Sequence, residues 1–407
     1  MGIFLMTGGG RMDKHMLVTG GAGFIGSAFV RYARKEGRRV IVLDALTYAG
    51  NPDNLKEFIN ERNLLLPVKG EKIKRVSFNL DGFVREFKPE RVEEKLLSIK
   101  LRDYQVHRVD DVKKKLQELQ EEEFIFVVGD ICDKKLLHEI LPFVETVVHF
   151  AAETHVDRSL LNPESFIYTD INGTFTLLEA CRNEEIKRFV HVSTDEIYGE
   201  APFGVFYDEN APLRPRNPYS AAKASADIIA RSYFIAYGLP VVVVRPSNNY
   251  GPYQFPEKLI PLMTIRAINN EHLPIYGDGK QRRDWLWVYD TARGVMLAHD
   301  KGKDGEVYNL AGGEERENIE VVKRILEELG KPESLIRFVK DRPAHDRRYA
   351  LNSEKAEREL GWKPEKPFEE GLKETVRWYV ENEPWWRRIM EENEEFRKFM
   401  EEWYKER

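Results

Sequence analysis

The chain has 407 residues, enough for two domains or one elaborated domain. Its 42% hydrophobic and 11% aromatic content excludes a disordered polymer, and a net charge of −6 excludes a general attraction to nucleic acid or anionic membrane. Apolar runs stay short of the roughly 18 residues that cross a bilayer, Met1 to His15 holds no secretory core, and two distant cysteines, Cys132 and Cys181, read as buried free thiols, so the expectation is a cytoplasmic protein.

Met16 to Thr19 is a short apolar strand running into Gly20-Gly-Ala-Gly23-Phe-Ile-Gly26. A helix over Ser27–Lys35 and a second strand over Arg39–Asp44 follow. Glycines at this spacing let a backbone turn tightly and approach a pyrophosphate at a helix N-terminus. With Asp44 closing the second strand, where a carboxylate accepts from ribose hydroxyls and repels a 2′-phosphate, the pattern favours NAD over NADP. The plainer alternative is a βαβ turn whose glycines serve only packing.

Between Asn51 and Phe124 the chain is too long for a simple crossover. A hairpin over Arg75–Phe87 on an Asp81-Gly82 turn, a helix over Pro89–Leu97 and a helix over Asp110–Leu119 form an inserted α+β module, about residues 56–122. Val112, Leu116 and Leu119 make its apolar stripe, with Asp110 as cap. The sheet resumes at Phe124–Asp130, Thr146–Ala152, Phe189–Ser193 and Leu239–Arg245, strands alternating with helices. That alternation predicts an α/β fold with a doubly wound, parallel Rossmann sheet over residues 16–250 and ligands beyond the carboxyl ends of its strands. Residues 251–386 are loop-rich and read as a smaller C-terminal α/β substrate-binding part. Residues 387–407 read as a charged amphipathic helix.

Thr194-Asp195-Glu196 falls at one such strand end. Two adjacent carboxylates can split into an acid and a base, though the dipeptide alone fits a solvated turn or a helix cap equally well. Tyr219 and Lys223, four apart, share one face of a helix, where an ammonium one turn away favours the phenolate. His155, Asp157 and Arg158 could suggest a metal or nucleophile site, but no second cluster has metal-ligand spacing. Arg282-Arg283 and Arg347-Arg348 lie among aromatics, as surface ion pairs or as a bidentate clamp for a diphosphate.

These blocks together resemble the dTDP-glucose 4,6-dehydratases of the extended short-chain dehydrogenase/reductase superfamily. The resemblance runs from Val18-Thr-Gly-Gly-Ala-Gly-Phe-Ile-Gly-Ser27 through Phe150-Ala-Ala-Glu-Thr-His-Val-Asp-Arg-Ser159, Ser193-Thr-Asp-Glu-Ile-Tyr-Gly199, Tyr219 to Lys223, Asn248 to Ile260 and Arg342-Pro-Ala-His-Asp-Arg-Arg-Tyr349. It implies that NAD is held by Gly20, Gly23, Phe24, Ile25, Gly26, Asp44, Thr47, Asp130, Ile131, Ala151, Ala152, Thr169 and Asn249, with Tyr219 and Lys223. It implies that Thr194 and Tyr219 hold the C4 hydroxyl while Tyr219 takes its proton, that Glu196 removes the C5 proton, and that Asp195 protonates the departing C6 hydroxyl. Lys223 completes the catalytic set. The nucleotide sugar would meet Thr154, Thr194, Asn248, Lys258, Leu259, Pro274, Ile275, Tyr276, Arg283, Asn318, His345, Arg348 and Tyr349. Relatives dimerise through two long helices, which points to those after Pro163 and Tyr219.

Four departures stand out. Asp170 replaces the usual asparagine, Ala344 replaces a glycine, the insert is extra, and the tail after Trp386 is longer. The competing readings are a UDP- or GDP-sugar 4,6-dehydratase, a 4-epimerase, and a non-catalytic NAD-binding regulator. The carboxylate pair argues against an epimerase, which eliminates no water.

Overall fold

The structure, a computed structural model, describes residues 14–68, 76–77, 85–86 and 96–404. Its main sheet has nine parallel strands: β1 His15–Thr19, β2 Val40–Asp44, β3 Leu64–Pro67, β4 His107–Val109, β5 Phe124–Val128, β6 Val144–His149, β7 Arg188–Val192, β8 Val241–Pro246 and β9 Val307–Leu310. Their spatial order is β9-β8-β7-β6-β1-β2-β5-β3-β4. Such strands read as unbroken apolar runs because both faces are covered. In β1, Met16 and Val18 join one core with Phe29 and Val30, whereas Leu17 between them joins the opposite core with Leu177 and Leu178. The helices that cover the faces include α1 (Phe24–Lys35), α2 (Thr174–Arg182), α3 (Pro218–Tyr237) and α4 (Val288–Lys301). The chain leaves β1 toward β2 and later crosses back to β6 on its other side, and the crevice at that reversal is where a ligand fits.

Several elements differ from the sequence reading. The inserted module joins the main sheet, because β3 pairs with β5 and β4 with β3, extending the sheet at its edge. Val76–Ser77 pairs antiparallel with Arg85–Glu86 as a hairpin should, but the Asp81-Gly82 turn and most of the helix expected over Pro89–Leu97 lie outside the described residues. The next helix begins at Val112, and its cap is Asp111, whose carboxylate accepts from the Lys114 amide at 2.9 Å, not Asp110. Val112, Leu116 and Leu119 are buried as the stripe predicts. After residue 250 the chain returns to the main sheet to supply α4 and β9.

Smaller sheets carry the rest of the ligand side. Asn248–Tyr250, Arg282–Trp287 and Glu315–Glu317 form one, and Leu273–Tyr276 pairs with Ile336–Val339. The expected single tail helix is two, α5 (Glu383–Glu392) and α6 (Glu394–Tyr404), broken at Asn393. The Asn393 carboxamide accepts from the Phe396 amide and donates to the Tyr48 carbonyl, both at 3.0 Å, so the break is capped and anchored at once. Trp386, Ile389, Phe396, Phe399 and Trp403 are all buried, so the tail is packed rather than merely charged.

Cys132 and Cys181 are free and buried, and burial pushes both thiols up. Among the described residues no helix is long and apolar enough to cross a membrane. Ala344 adopts φ +50°, the left-handed backbone a glycine would take, so the substitution keeps the loop's shape at the expense of strain. Ala344→Gly should therefore raise stability, by about 0.5–1 kcal/mol once glycine's unfolded-state entropy is deducted. Urea unfolding reads this directly, and a loss of stability would contradict it.

Candidate active site

Two adjoining cavities open at the strand ends. The first, about 220 Å³, is walled by the glycine loop and by the ends of β2, β5 and β6. Gly20 sits at φ +70°, and a Cβ there would lie 2.6 Å from the Ala151 amide nitrogen. At Gly26 a Cβ would lie 2.2 Å from the Gly20 carbonyl oxygen. Only glycine permits this close stacking of loop on helix. Gly23 caps α1 without a side-chain partner, leaving the first-turn amides at the cavity wall for an anion. Asp44 is held by the Ala22 and Leu46 amides at 2.9 and 2.8 Å, so its carboxylate is oriented beside the cavity. A dinucleotide fits this set: an anion site at the helix start, a carboxylate at the second strand's end, and apolar walls from Ile25, Ile131, Ala151 and Ala152. The other expected cofactor contacts, Phe24, Thr47, Asp130, Thr169, Tyr219 and Lys223, line the same cavity. Asn249 is a correction, because it lines the second cavity instead.

The second cavity, about 270 Å³, holds Thr194, Asp195 and Glu196 together with Tyr219. Beyond β7 the chain turns through a short 3-10 segment, Asp195–Tyr198, and Thr194 is its cap, accepting from the Glu196 amide at 3.3 Å. The cap is thus the threonine, and both carboxylates remain available. Tyr219 and Lys223 stand one turn apart at the start of α3. That helix starts with a capping box, in which Asn217 accepts from the Ser220 amide at 2.9 Å and the Asn217 amide donates to the Ser220 hydroxyl at 3.2 Å. Tyr219 and Thr154 line both cavities, so the phenol stands at the junction.

The carboxylates are driven apart electrically. Burial, then the neighbouring Glu196, pushes Asp195 well above the usual carboxylate range, although the Thr194 hydroxyl at 3.1 Å partly offsets this. Burial also raises Glu196, but Arg342, Arg283 and Lys258 pull it back down. Asp195 is therefore the protonated partner and Glu196 the readier base. Tyr219 is pushed up by burial and then by Glu196 and Asp170. The Thr194 hydroxyl lowers it, and Lys223, one turn along the helix, donates to the Val192 carbonyl at 2.9 Å.

Of the expected substrate contacts, Thr154, Asn248, Lys258, Leu259, Pro274, Ile275, Tyr276, Arg283, Asn318 and His345 line the second cavity. Arg348 does not. Its guanidinium is bidentate to Glu315 at 2.5 and 2.8 Å and bonds the Pro202 and Val205 carbonyls, facing a different hollow. Tyr349 sits behind the cavity wall, with its hydroxyl 2.6 Å from Asp346, 3.5 Å from Glu196, and Arg283 over its ring. The residue that sequence reasoning missed is Arg342, which lines the cavity and bonds Asp157 at 2.6 Å. Three arginines lie in that stretch, and the bend at Ala344 breaks any periodicity that could have told which one faces inward.

Asp170 sits in a π-helical stretch, Ile167–Gly173, between a short helix at Pro163–Phe166 and α2. One carboxylate oxygen accepts from the Glu153 amide at 2.7 Å. Burial raises Asp170 to about 7, with Lys223 pulling it down. A carboxyl raised on folding contributes stability that is complete below about pH 4 and is lost as pH rises through about 7. Asp170→Asn, which keeps the acceptor, should stabilise the protein at pH 8 by on the order of 4 kcal/mol at most, with the gain shrinking toward zero near pH 4. Chemical unfolding at the two pH values measures it; an equal effect at both would contradict the assignment.

Comparison with known proteins places this geometry. The family profile described as GDP-mannose 4,6 dehydratase matches residues 89–375, and that of the NAD dependent epimerase/dehydratase family matches residues 16–80. A dTDP-glucose 4,6-dehydratase of Streptomyces niveus is 41% identical over 377 residues, covering 91% of this chain and 94% of the relative. The crystal structure of the dTDP-glucose 4,6-dehydratase from Streptomyces venezuelae, with NAD and TYD bound, superposes with a TM-score of 0.75 at 40% identity, covering 92% of this chain and 99% of that one. The UDP-glucose 4-epimerase of Thermus thermophilus, complexed with NAD, shares the fold at a TM-score of 0.70 and only 28% identity, over 90% and 99% of the two chains. With a fingerprint loop, a Tyr/Lys helix and a strand-end Thr-Asp-Glu in one crevice, the chain belongs to the dTDP-glucose 4,6-dehydratase family of NAD-dependent epimerases and dehydratases.

Proposed function

We propose that this protein removes water from dTDP-glucose to give dTDP-4-keto-6-deoxy-glucose. The observation that carries the reading is the electrical splitting of Asp195 and Glu196 in a cavity that shares Tyr219 with the dinucleotide cavity. When bound, NAD supplies the hydride acceptor at C4 and the hydride donor at C6. Thr194 and Tyr219 hold the C4 hydroxyl, and Tyr219 takes its proton as C4 becomes a ketone. The ketone acidifies C5, and Glu196 takes that proton. Asp195 gives its proton to the C6 hydroxyl, which leaves as water. Glu196 then returns a proton to C5 as C6 is reduced. Atoms balance as the loss of one water, with no net redox change.

Arg283, Lys258 and Arg342 suit a diphosphate near these groups, since each brings a cation to the same cavity. An epimerase would have no use for the acid at Asp195. The match to a profile described for GDP-mannose keeps GDP-hexoses as a comparison arm.

The test is to incubate the NAD-bound protein with dTDP-, UDP- and GDP-hexoses and follow 4-keto product without net NADH. Turnover of dTDP-glucose is expected, and inactivity on all three classes would sink the proposal. Glu196→Gln should abolish product while substrate still partly reduces NAD. Asp195→Asn should lower kcat by roughly 10²–10⁴. Loss of NAD reduction together with product in Glu196→Gln would overturn this division of roles.

We further infer a homodimer. Ile167 and Phe175, from the run after Pro163, and Ile228, Ile235 and Tyr237 of α3 are exposed, Ile235 by 79%. That apolar face on two adjoining helices suits a second copy of the chain. Sedimentation should give a dimer for the wild type and a monomer for Ile228→Lys/Ile235→Lys; a monomeric wild type would refute it. A cytoplasmic location is in keeping with the two free buried thiols.

A further inference from the structure

The last helix, α6, lies behind the substrate cavity rather than on open surface. The Trp403 indole N–H donates to the Tyr276 hydroxyl at 2.6 Å. That hydroxyl donates to one oxygen of Asp157 at 2.9 Å, and the other oxygen accepts from Arg342 at 2.6 Å. Tyr276, Asp157 and Arg342 all line the cavity that holds Glu196, while Trp403 stands one layer outside. A second contact runs alongside: the Phe399 ring meets His155 edge-on at 5.6 Å, and the Arg158 guanidinium packs over Phe399 while bonding Glu257 at 2.8 Å. The preceding helix, α5, is tied to the coenzyme side, where Trp385 lines the first cavity and its indole donates to Asn54 at 3.0 Å. Arg388 also bonds Asp103 at 2.6 Å and the Ile99 carbonyl at 2.9 Å. The tail thus backs both halves of the crevice.

We infer that Trp403 is a positioning residue of the dehydratase centre: it orients the Tyr276 hydroxyl and, through Asp157, the Arg342 guanidinium that faces Glu196. An indole N–H supplied by α6 occupies a lone pair of the Tyr276 hydroxyl while that hydroxyl donates to Asp157, so the two bonds together orient the phenol. Asp157 in turn anchors one nitrogen of the Arg342 guanidinium at 2.6 Å, so small movements of α6 reach the cation beside the C5 base. Glu196 is faced by the cations Arg342, Arg283 and Lys258, by the carboxyls Asp195 and Asp346, and by the phenols Tyr219 and Tyr349. Arg342 is the leading cation of that set, so its displacement leaves Glu196 harder to ionise. The inference rests on the reading of Glu196 as the C5 base.

The test uses the full-length, NAD-bound protein. Trp403→Phe keeps an aromatic ring but loses the N–H together with part of the indole's bulk, so a packing control accompanies it. Its kcat on dTDP-glucose should fall about tenfold, with the acid limb of the kcat–pH profile moved upward and KM changed less than kcat. Tyr276→Phe should do the same, and the double variant should be no worse than Tyr276→Phe alone, because the two act in series. Trp386→Phe is the control for packing, since that indole is also buried but bonds the Tyr379 carbonyl at 2.8 Å. It should leave the acid limb in place. An infrared difference titration, each protein minus its Glu196→Gln form, reads the Glu196 carboxyl without turnover and should show its midpoint raised in Trp403→Phe. An unmoved midpoint, additive losses in the double variant, or the same shift in Trp386→Phe would each overturn the inference. Absence of turnover in the wild type with a responsive titration would count against the assigned reaction and not against the role of Trp403.

Discussion

The buried pair of Arg245 and Asp227 is the constraint on which the site depends. Arg245 ends β8, Asp227 lies in the middle of α3, and their two hydrogen bonds of 2.9 and 2.7 Å form a bidentate bridge with both side chains out of water. The same guanidinium bonds the Tyr198 hydroxyl at 2.6 Å, at the end of the turn that carries Asp195 and Glu196. One cation therefore locks the helix that presents Tyr219 and Lys223 to the turn that presents the carboxylates. A buried ion pair adds little net stability, because desolvation offsets its attraction. Its value here is geometric, since a hydrophobic replacement could fill the volume without setting helix and turn in register.

Once held, the groups acquire different chemistry from their surroundings. Asp195 and Glu196 are adjacent and both buried, and burial raises both. Only Glu196 has cations as its next strongest neighbours, whereas Asp195 has another carboxylate. The cations come from distant parts of the chain: Lys258 from the loop after β8, Arg283 from the three-stranded sheet, and Arg342 from the bend at Ala344. The acid and base are thus distinguished by tertiary placement, not by residue type.

Much of the fold was legible in residue order. Strand stretches such as Val40–Leu43 and Val241–Val244 are apolar because both sheet faces are covered, and the glycine spacing marks a place where backbone must stack on backbone. What misled was local resemblance without context. That the inserted module joins the main sheet was not legible, because pairing of Leu64–Pro67 with Phe124–Val128 is long-range and leaves no trace in spacing. Arg348 looked like a phosphate clamp because an arginine beside aromatics does not disclose that Glu315 already holds it. The tail read as one charged amphipathic helix, and the sequence did not show that it breaks at Asn393 or where its aromatics pack.

By itself the sequence determined the inventory: the glycine turn, the strand ending at Asp44, a Tyr and Lys one helical turn apart, and two adjacent carboxylates after a threonine. Those follow from periods of two and 3.6 residues and from the few backbone conformations glycine alone tolerates. Tertiary structure decided which arginine reaches the cavity, which carboxylate keeps its proton, and that Trp403 at the far end of the chain stands behind Tyr276. Each of those depends on burial and on charges brought from far along the chain, and neither burial nor a through-space field is a property of neighbouring letters.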